Sequence, residues 1–95
     1  EPNINVIELA QKCNMSIRNF SRRFTEEFGM SPGKWLMDKK DALILESLSA
    51  STAVMTVIAE NFGFASSSHF STYCKKRFND TPYDLHKKLT ARAER

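Results

Sequence analysis

Ninety-five residues, of which 41% are hydrophobic, 26% charged and 11% aromatic, make one small folded domain or two very small ones. Such a chain is too short for a TIM barrel or a dinucleotide-binding fold with a substrate domain, and too apolar to be disordered. Its formal charge of +3 fits a nucleic-acid partner without selecting one.

Three glycines and three prolines are too few for a turn-dense all-β domain. No apolar run approaches the roughly 18 residues that cross a membrane. With no basic-then-apolar leader, a cytoplasmic address is the expectation. Because the chain opens at Glu1 without a Met, it reads as a fragment or a processed product.

Helical spacing runs through the whole chain. Val6, Leu9, Ala10 and Cys13 mark one face of a short first helix. Asn14-Met15-Ser16 breaks it, and Ser16 is a good N-cap for a second. Ile17, Phe20, Phe24 and Phe28 would form the buried face of that helix, with Gly29 closing it. Ser31-Pro32 opens a third helix, expected to reach Leu48 and to bury Trp35, Leu36, Leu43, Ile44 and Leu48. At about 1.5 Å per residue such a helix is roughly 25 Å long.

Ser49-Ala50-Ser51-Thr52 reads as a loop with cap candidates. Val54, Val57, Ile58 and Phe62 drive a fourth helix, ended by Gly63. Ser66, Ser67 and Ser68 offer caps for a fifth, with Phe70, Tyr73, Cys74 and Phe78 inward. Thr81-Pro82 repeats the cap-plus-proline signal, with Asp84 placed as a capping-box partner. A sixth helix carrying Leu85 and Leu89 should fray between Thr90 and Arg95.

Other chemistries find little support. Cys13 and Cys74 are lone residues among apolar neighbours and read as buried, reduced thiols. His69 and Cys74 stand five apart, a spacing that does not converge on one helix face, so neither a metal nor another cofactor is expected. With no nucleophile-base pairing and no Gly-rich phosphate loop, the chain does not read as an enzyme. Trp35 is expected to anchor core, and Glu26-Glu27 to be a solvated helix end.

The chain repeats itself. Leu9-Ala10 matches Ile58-Ala59 at an offset of 49. Phe20, Phe24, Phe28, Gly29, Ser31 and Pro32 match Phe70, Cys74, Phe78, Asn79, Thr81 and Pro82 at an offset of 50. The extra residue falls in the turn between paired helices, where insertion disturbs least. The repeated unit is therefore helix, tight turn, helix: a helix-turn-helix, present twice and separated by one long helix.

On the second helix of each pair the outward positions can be named. They are Arg18, Ser21, Arg22 and Thr25 in the first copy, and Ser67, Ser68, Ser71, Thr72 and Lys75 in the second. Arg, Lys, Ser and Thr are the side chains that pair with base edges and phosphates, arginine being the best guanine reader. A merely solvated surface would have a similar composition, but two copies at matching positions favour a binding face.

These residues resemble the DNA-binding domain of the AraC/XylS family of transcription regulators, over about Asn5 to Lys87. The most specific part is Ile58-Ala59, Gly63-Phe64, Phe70 and Thr81-Pro82, echoed by Leu9-Ala10, Met15-Ser16, Phe20, Phe24, Phe28-Gly29 and Ser31-Pro32. The resemblance implies an all-α fold of two homeodomain-like helix-turn-helix subdomains, at 1–33 and 49–95, joined by a linker helix at 34–48. It implies a leading helix before Val6 that this chain is too short to hold, leaving the first subdomain incompletely covered. The second helix of each pair would enter a major groove, with the linker setting the step to the next groove, about 34 Å along one DNA face.

Carried over by position, base-reading roles fall on Arg18, Ser21, Arg22, Ser67, Ser68, Ser71 and Thr72. Phosphate contacts fall to the helix starts at Ser16 and Ser66, and to Arg23, Lys75, Lys76 and Arg77. Lys40, Ile44, Cys74, Asn79 and His86 depart from the family's usual Arg, Ala, Phe, Gly and Arg, and so describe a divergent member.

No Lys or Arg occurs between Asp41 and Cys74, so the first copy should make the stronger base contacts. The expected partner is double-stranded DNA, with RNA polymerase as a further one. An upstream sensor or dimerisation domain is expected in the full-length protein. The competing reading is a helical protein-interaction module whose same faces meet a protein, which salt dependence distinguishes.

Overall fold

Five of the six helices begin at a side chain that takes up a free amide, Asn5, Ser16, Ser31, Ser66 and Thr81. The computed structural model describes residues 5–93, and among them are six helices and no strand. In chain order these are α1 (Val6–Lys12), α2 (Ile17–Phe28), α3 (Pro32–Leu48), α4 (Met55–Asn61), α5 (Ser67–Phe78) and α6 (Pro82–Ala93).

The repeat holds at the level of single atoms. Ser16 Oγ accepts from the Asn19 amide at 3.2 Å, and Ser66 Oγ accepts from the His69 amide at 3.2 Å. Ser31 Oγ accepts from the Lys34 amide at 3.2 Å, and Thr81 Oγ1 from the Asp84 amide at 3.1 Å. The turn between paired helices is closed the same way twice: Met15 N–H donates to Ala10 O at 3.0 Å, and Phe64 N–H to Ala59 O at 2.9 Å. At its bend the backbone is left-handed both times, with φ 58° at Asn14 and 79° at Gly63. The second helix of each pair also ends on a left-handed residue, Gly29 at φ 75° and Asn79 at φ 64°. Asparagine is the residue other than glycine that takes this conformation most readily, so Asn79 closes α5 at little cost.

The chain divides into two compact units, with the boundary inside α3 between Asp41 and Ala42. In the first unit α1 packs on α2. Its apolar interior is built on buried Ala10 and Pro32 and on a run of rings. Phe24 meets Phe20 at 5.8 Å, Phe28 at 4.5 Å and the edge of Trp35 at 5.8 Å. Phe20, Phe24 and Trp35 are only half-buried, and Phe28 is 56% exposed.

The second unit has a closed core. Ile44 and Leu48 from the end of α3 pack with Ile58, Ala59, Phe62, Phe70, Cys74 and Leu85. Phe70, Ile44, Leu48 and Cys74 are wholly enclosed. Phe70, Ile44 and Leu48 each contribute about 1.5–3 kcal/mol. His86 Nδ1 lies 2.8 Å from Leu48 O. Since a carbonyl only accepts, the ring nitrogen donates, and it satisfies one of the carbonyls that the end of α3 leaves unpaired.

Several sequence expectations need correction. Cys13 is exposed, because it caps the end of α1 and does not continue that helix's inner face. Ile17, Phe28, Leu43, Val54 and Val57 are likewise exposed. Spacing identifies a face, but burial needs something to cover it, and seven-residue α4 buries Ile58 and Ala59 fully and Met55 in part. The loop at 49–52 supplies no cap to α4; Val54 occupies the N-cap with no side-chain bond. Helix α6 does not fray at Thr90 but continues to Ala93, with Thr90 Oγ1 donating back to His86 O at 2.7 Å. Glu94 and Arg95 lie outside the described residues.

Candidate nucleic-acid interface

With Phe20 and Phe24 facing inward, the α-helical turn of about 100° per residue puts Arg18, Ser21, Arg22 and Thr25 on one outward stripe of α2. Arg18, Arg22 and Thr25 are exposed and Ser21 is half-buried. Among the described residues neither Arg18 nor Arg22 forms an ion pair, so both guanidinium forks are available to an incoming acceptor. Thr25 Oγ1 donates to Ser21 O at 2.7 Å. Arg23 falls off the stripe. It borders an apolar depression with Cys13, Met15, Phe20, Phe24, Glu27 and Phe28, on another side of the helix from Arg22.

The corresponding stripe of α5 is built differently. Ser67, Ser68, Thr72 and Lys75 are exposed, with Ser71 half-buried between them. Thr72 Oγ1 donates to Ser68 O at 3.0 Å. His69 is also exposed, in the first turn. Ser66 uses its oxygen as the helix cap, which leaves its hydroxyl proton free, and Ser16 does the same on α2. The exposed cations of α5 are gathered in the last turn as Lys75, Lys76 and Arg77, where they also complement the helix dipole. The matching turn of α2 has no basic residue and carries Glu26 and Glu27 instead. Thus α2 presents two arginine forks above an acidic end, and α5 presents hydroxyls above a basic end.

The predicted base-reading residues are therefore brought together within each unit, four hydroxyl-bearing residues on α5 and two arginines with Ser21 on α2. Of the predicted phosphate-contacting residues, Ser16, Ser66, Lys75 and Lys76 lie beside these stripes, and Arg23 does not. Sequence reading missed the locked hydroxyls of Thr25 and Thr72, because spacing does not reveal a rotamer. It also passed over Asn14, whose left-handed turn could have been found by aligning it with Gly63.

Around these helices the remaining polar contacts are structural. Lys34 pairs with Asp38 at 3.0 Å and Lys88 with Asp80 at 2.6 Å. The hydrogen bond and charge of Asp80 hold the Lys88 ammonium above its ordinary pKa of 10.5. Lys39 stands over the Trp35 ring and Lys87 over Tyr83. No cluster of His, Cys, Asp and Glu suited to a metal occurs among the described residues, and none of their helices is long and apolar enough to cross a membrane.

Comparison with known proteins agrees with this geometry. The profile of a helix-turn-helix domain family matches residues 9–88. The chain is 30% identical over 82 residues to the HTH-type transcriptional activator RhaS of Escherichia coli (strain SE11), covering 86% of this chain and 30% of RhaS. It thus spans less than a third of the length of that relative. Among solved structures it superimposes on an AraC-type transcriptional regulator from Chromobacterium violaceum with a TM-score of 0.74 and 23% identity, over 90% of this chain and 77% of the other. The DNA-binding domain of AdpA, solved in complex with a target DNA, gives a TM-score of 0.73 and 24% identity, over 98% of this chain and 84% of that one. Two copies of a helix-turn-helix that share the cap of the second helix and the closing bond of the turn, each with an outward polar stripe on its second helix, and a family match over most of its length agree: the chain belongs to the AraC/XylS-type helix-turn-helix family of DNA-binding domains.

Proposed function

We propose that the chain is the sequence-reading end of a transcription regulator and that α2 and α5 each enter a major groove of double-stranded DNA. The observation that carries this reading is the repeated recognition stripe with its unpaired Arg18 and Arg22. Arginine forks meet guanine O6 and N7 together, so Arg18 and Arg22 supply the sharper base discrimination. Ser21, Ser67, Ser68, Ser71 and Thr72 complete the base contacts. Phosphates are held at the helix starts by Ser16 and Ser66, and by Lys75 and Lys76, which draw the duplex in before the bases are read. Arg23 joins them if its flexible side chain swings out from the depression it borders.

Two half-sites one helical turn apart then satisfy both copies within one chain. The domain works where the DNA is, in the cytoplasm, and carries out no catalysis. RhaS is longer than this chain, and a sensor or dimerisation domain and RNA polymerase as a second partner are proposed for the full-length protein.

Exposed Ile17, Phe28, Val54 and Val57 favour a second reading, in which these faces meet a protein. Titrating a duplex at several salt concentrations separates the two. DNA capture predicts a steep linear fall of log K with log salt. Binding to protein with no salt-dependent binding to duplex would replace the DNA reading by the interaction module.

A further inference from the structure

We infer that Thr72 reads the 5-methyl group of a thymine, by its own methyl and not by its hydroxyl. The inference rests on the reading that α5 lies in a major groove, and adds to it the chemistry of one base contact. Thr72 is exposed on the stripe, yet its hydroxyl proton is already committed to Ser68 O, at 3.0 Å along its own helix. With Oγ1 turned back against the helix, the Cγ2 methyl is the one remaining heavy group that this exposed side chain has to offer a base. A helical threonine divides between two χ1 rotamers because its Oγ1 can bond a carbonyl of the preceding turn, and the bond to Ser68 O is such a contact. Donating that proton to a base instead would break a made bond to form a new one, with little net gain.

Position 72 corresponds to Arg22 in the first copy, at an offset of 50. One copy therefore places a guanidinium where the other places a methyl. The major-groove edge of a T·A pair is the one that carries a methyl group, so an outward methyl at this position selects thymine. The same locking occurs at Thr25, whose hydroxyl donates to Ser21 O at 2.7 Å. Back-bonding of a helical threonine is thus used on both stripes, and at Thr72 it falls at the place where the other copy holds a base reader.

The test uses the 95-residue chain and the duplex it selects from a random pool. Each thymine of the half-site read by α5 is replaced in turn by deoxyuridine, which lacks only the methyl. Affinity is measured for the unaltered chain, for Thr72→Val, which keeps the methyl and loses the hydroxyl, and for Thr72→Ser, which does the reverse. Thermal melts confirm that both variants fold. One deoxyuridine position is expected to weaken the unaltered chain and Thr72→Val by about fourfold, the worth of one buried methyl-sized group. Thr72→Ser should bind the thymine duplex about fourfold more weakly and be indifferent to that replacement.

If Thr72→Val loses affinity while Thr72→Ser keeps it, the hydroxyl is the reader and the inference is overturned. It is equally overturned if every deoxyuridine affects the unaltered chain and Thr72→Ser alike. A chain that selects no sequence at all removes the DNA-reading proposal itself, and this inference with it. A chain that selects a site but ignores every thymine methyl removes this inference alone.

Discussion

Gly29 ends α2 in the left-handed conformation, at φ 75°, and open space surrounds the position where a Cβ would stand. Any cost of a side chain there is consequently one of backbone conformation alone. Gly29→Ala is expected to lower stability by about 1–2 kcal/mol. Gly29→Asn should cost clearly less, because Asn79 holds φ 64° at the same place in the second copy. Denaturant titration of both variants checks the order, and equal losses would show that the cap is not conformational. Val54 presents the opposite case. Asn5 caps α1 by accepting from the Glu8 amide at 2.9 Å, whereas Val54, 49 residues on, caps α4 with nothing. Val54→Asn should therefore stabilise the chain by about 1 kcal/mol in the same titration.

At the same scale the two proposed recognition stripes are expected to differ in strength. Arg22→Ala should cost about 1–3 kcal/mol of discrimination against the wrong base. Ser67→Ala removes one neutral hydrogen bond, worth about 0.5–1.5 kcal/mol. Competition titrations with single-base variants of the selected duplex measure both. Equal losses would contradict the ranking of the first copy over the second.

Among the elements, helix starts and stops were the most legible features of the sequence. Ser16, Ser31, Ser66 and Thr81 each cap the helix that their residue type predicts. Gly29 and Asn79 end α2 and α5 as expected. Burial was less legible. Val57 and Phe28 lie on apolar spacing and still face solvent, because periodicity says which residues share a face but not what covers it. Cys13 and Cys74 read alike in sequence, yet one caps a helix end in the open and the other is sealed between α5 and its neighbours. The candidate recognition residues were legible because outward polar positions need no partner to be identified. The rotamer of Thr72 was not, since it depends on a bond to Ser68 O that only coordinates reveal.

The basic end of α5 belongs to the element and not to any one residue. Lys75 and Lys76 are expected to hold phosphates, which carry no sequence information. Replacing both by alanine should weaken binding to all duplexes alike. It should also reduce the slope of log K against log salt by about 1.8, at about 0.9 per phosphate contact. A change in sequence preference without a change in slope would place these lysines at bases instead.

For the molecule as a whole, the contrast between the units dominates. The second unit encloses Phe70, Ile44, Leu48 and Cys74 completely, while the first holds a run of half-buried rings. Local stability follows buried apolar contact, so amide exchange should be slower across α4, α5 and α6 than across α1 and α2. Uniform protection measured by hydrogen exchange would contradict that contrast. The difference in core also bears on binding: the unit proposed to hold the arginine base readers encloses fewer apolar side chains, and DNA contacts would stabilise it by mass action.

The most direct measurement is selection of duplexes from a random-sequence pool by the 95-residue chain at two salt concentrations. Enrichment of two short half-sites about one helical turn apart, held more weakly at the higher salt, is the predicted result. A folded chain that binds no duplex at the lower salt, or that enriches no sequence, would contradict the central claim that α2 and α5 read DNA.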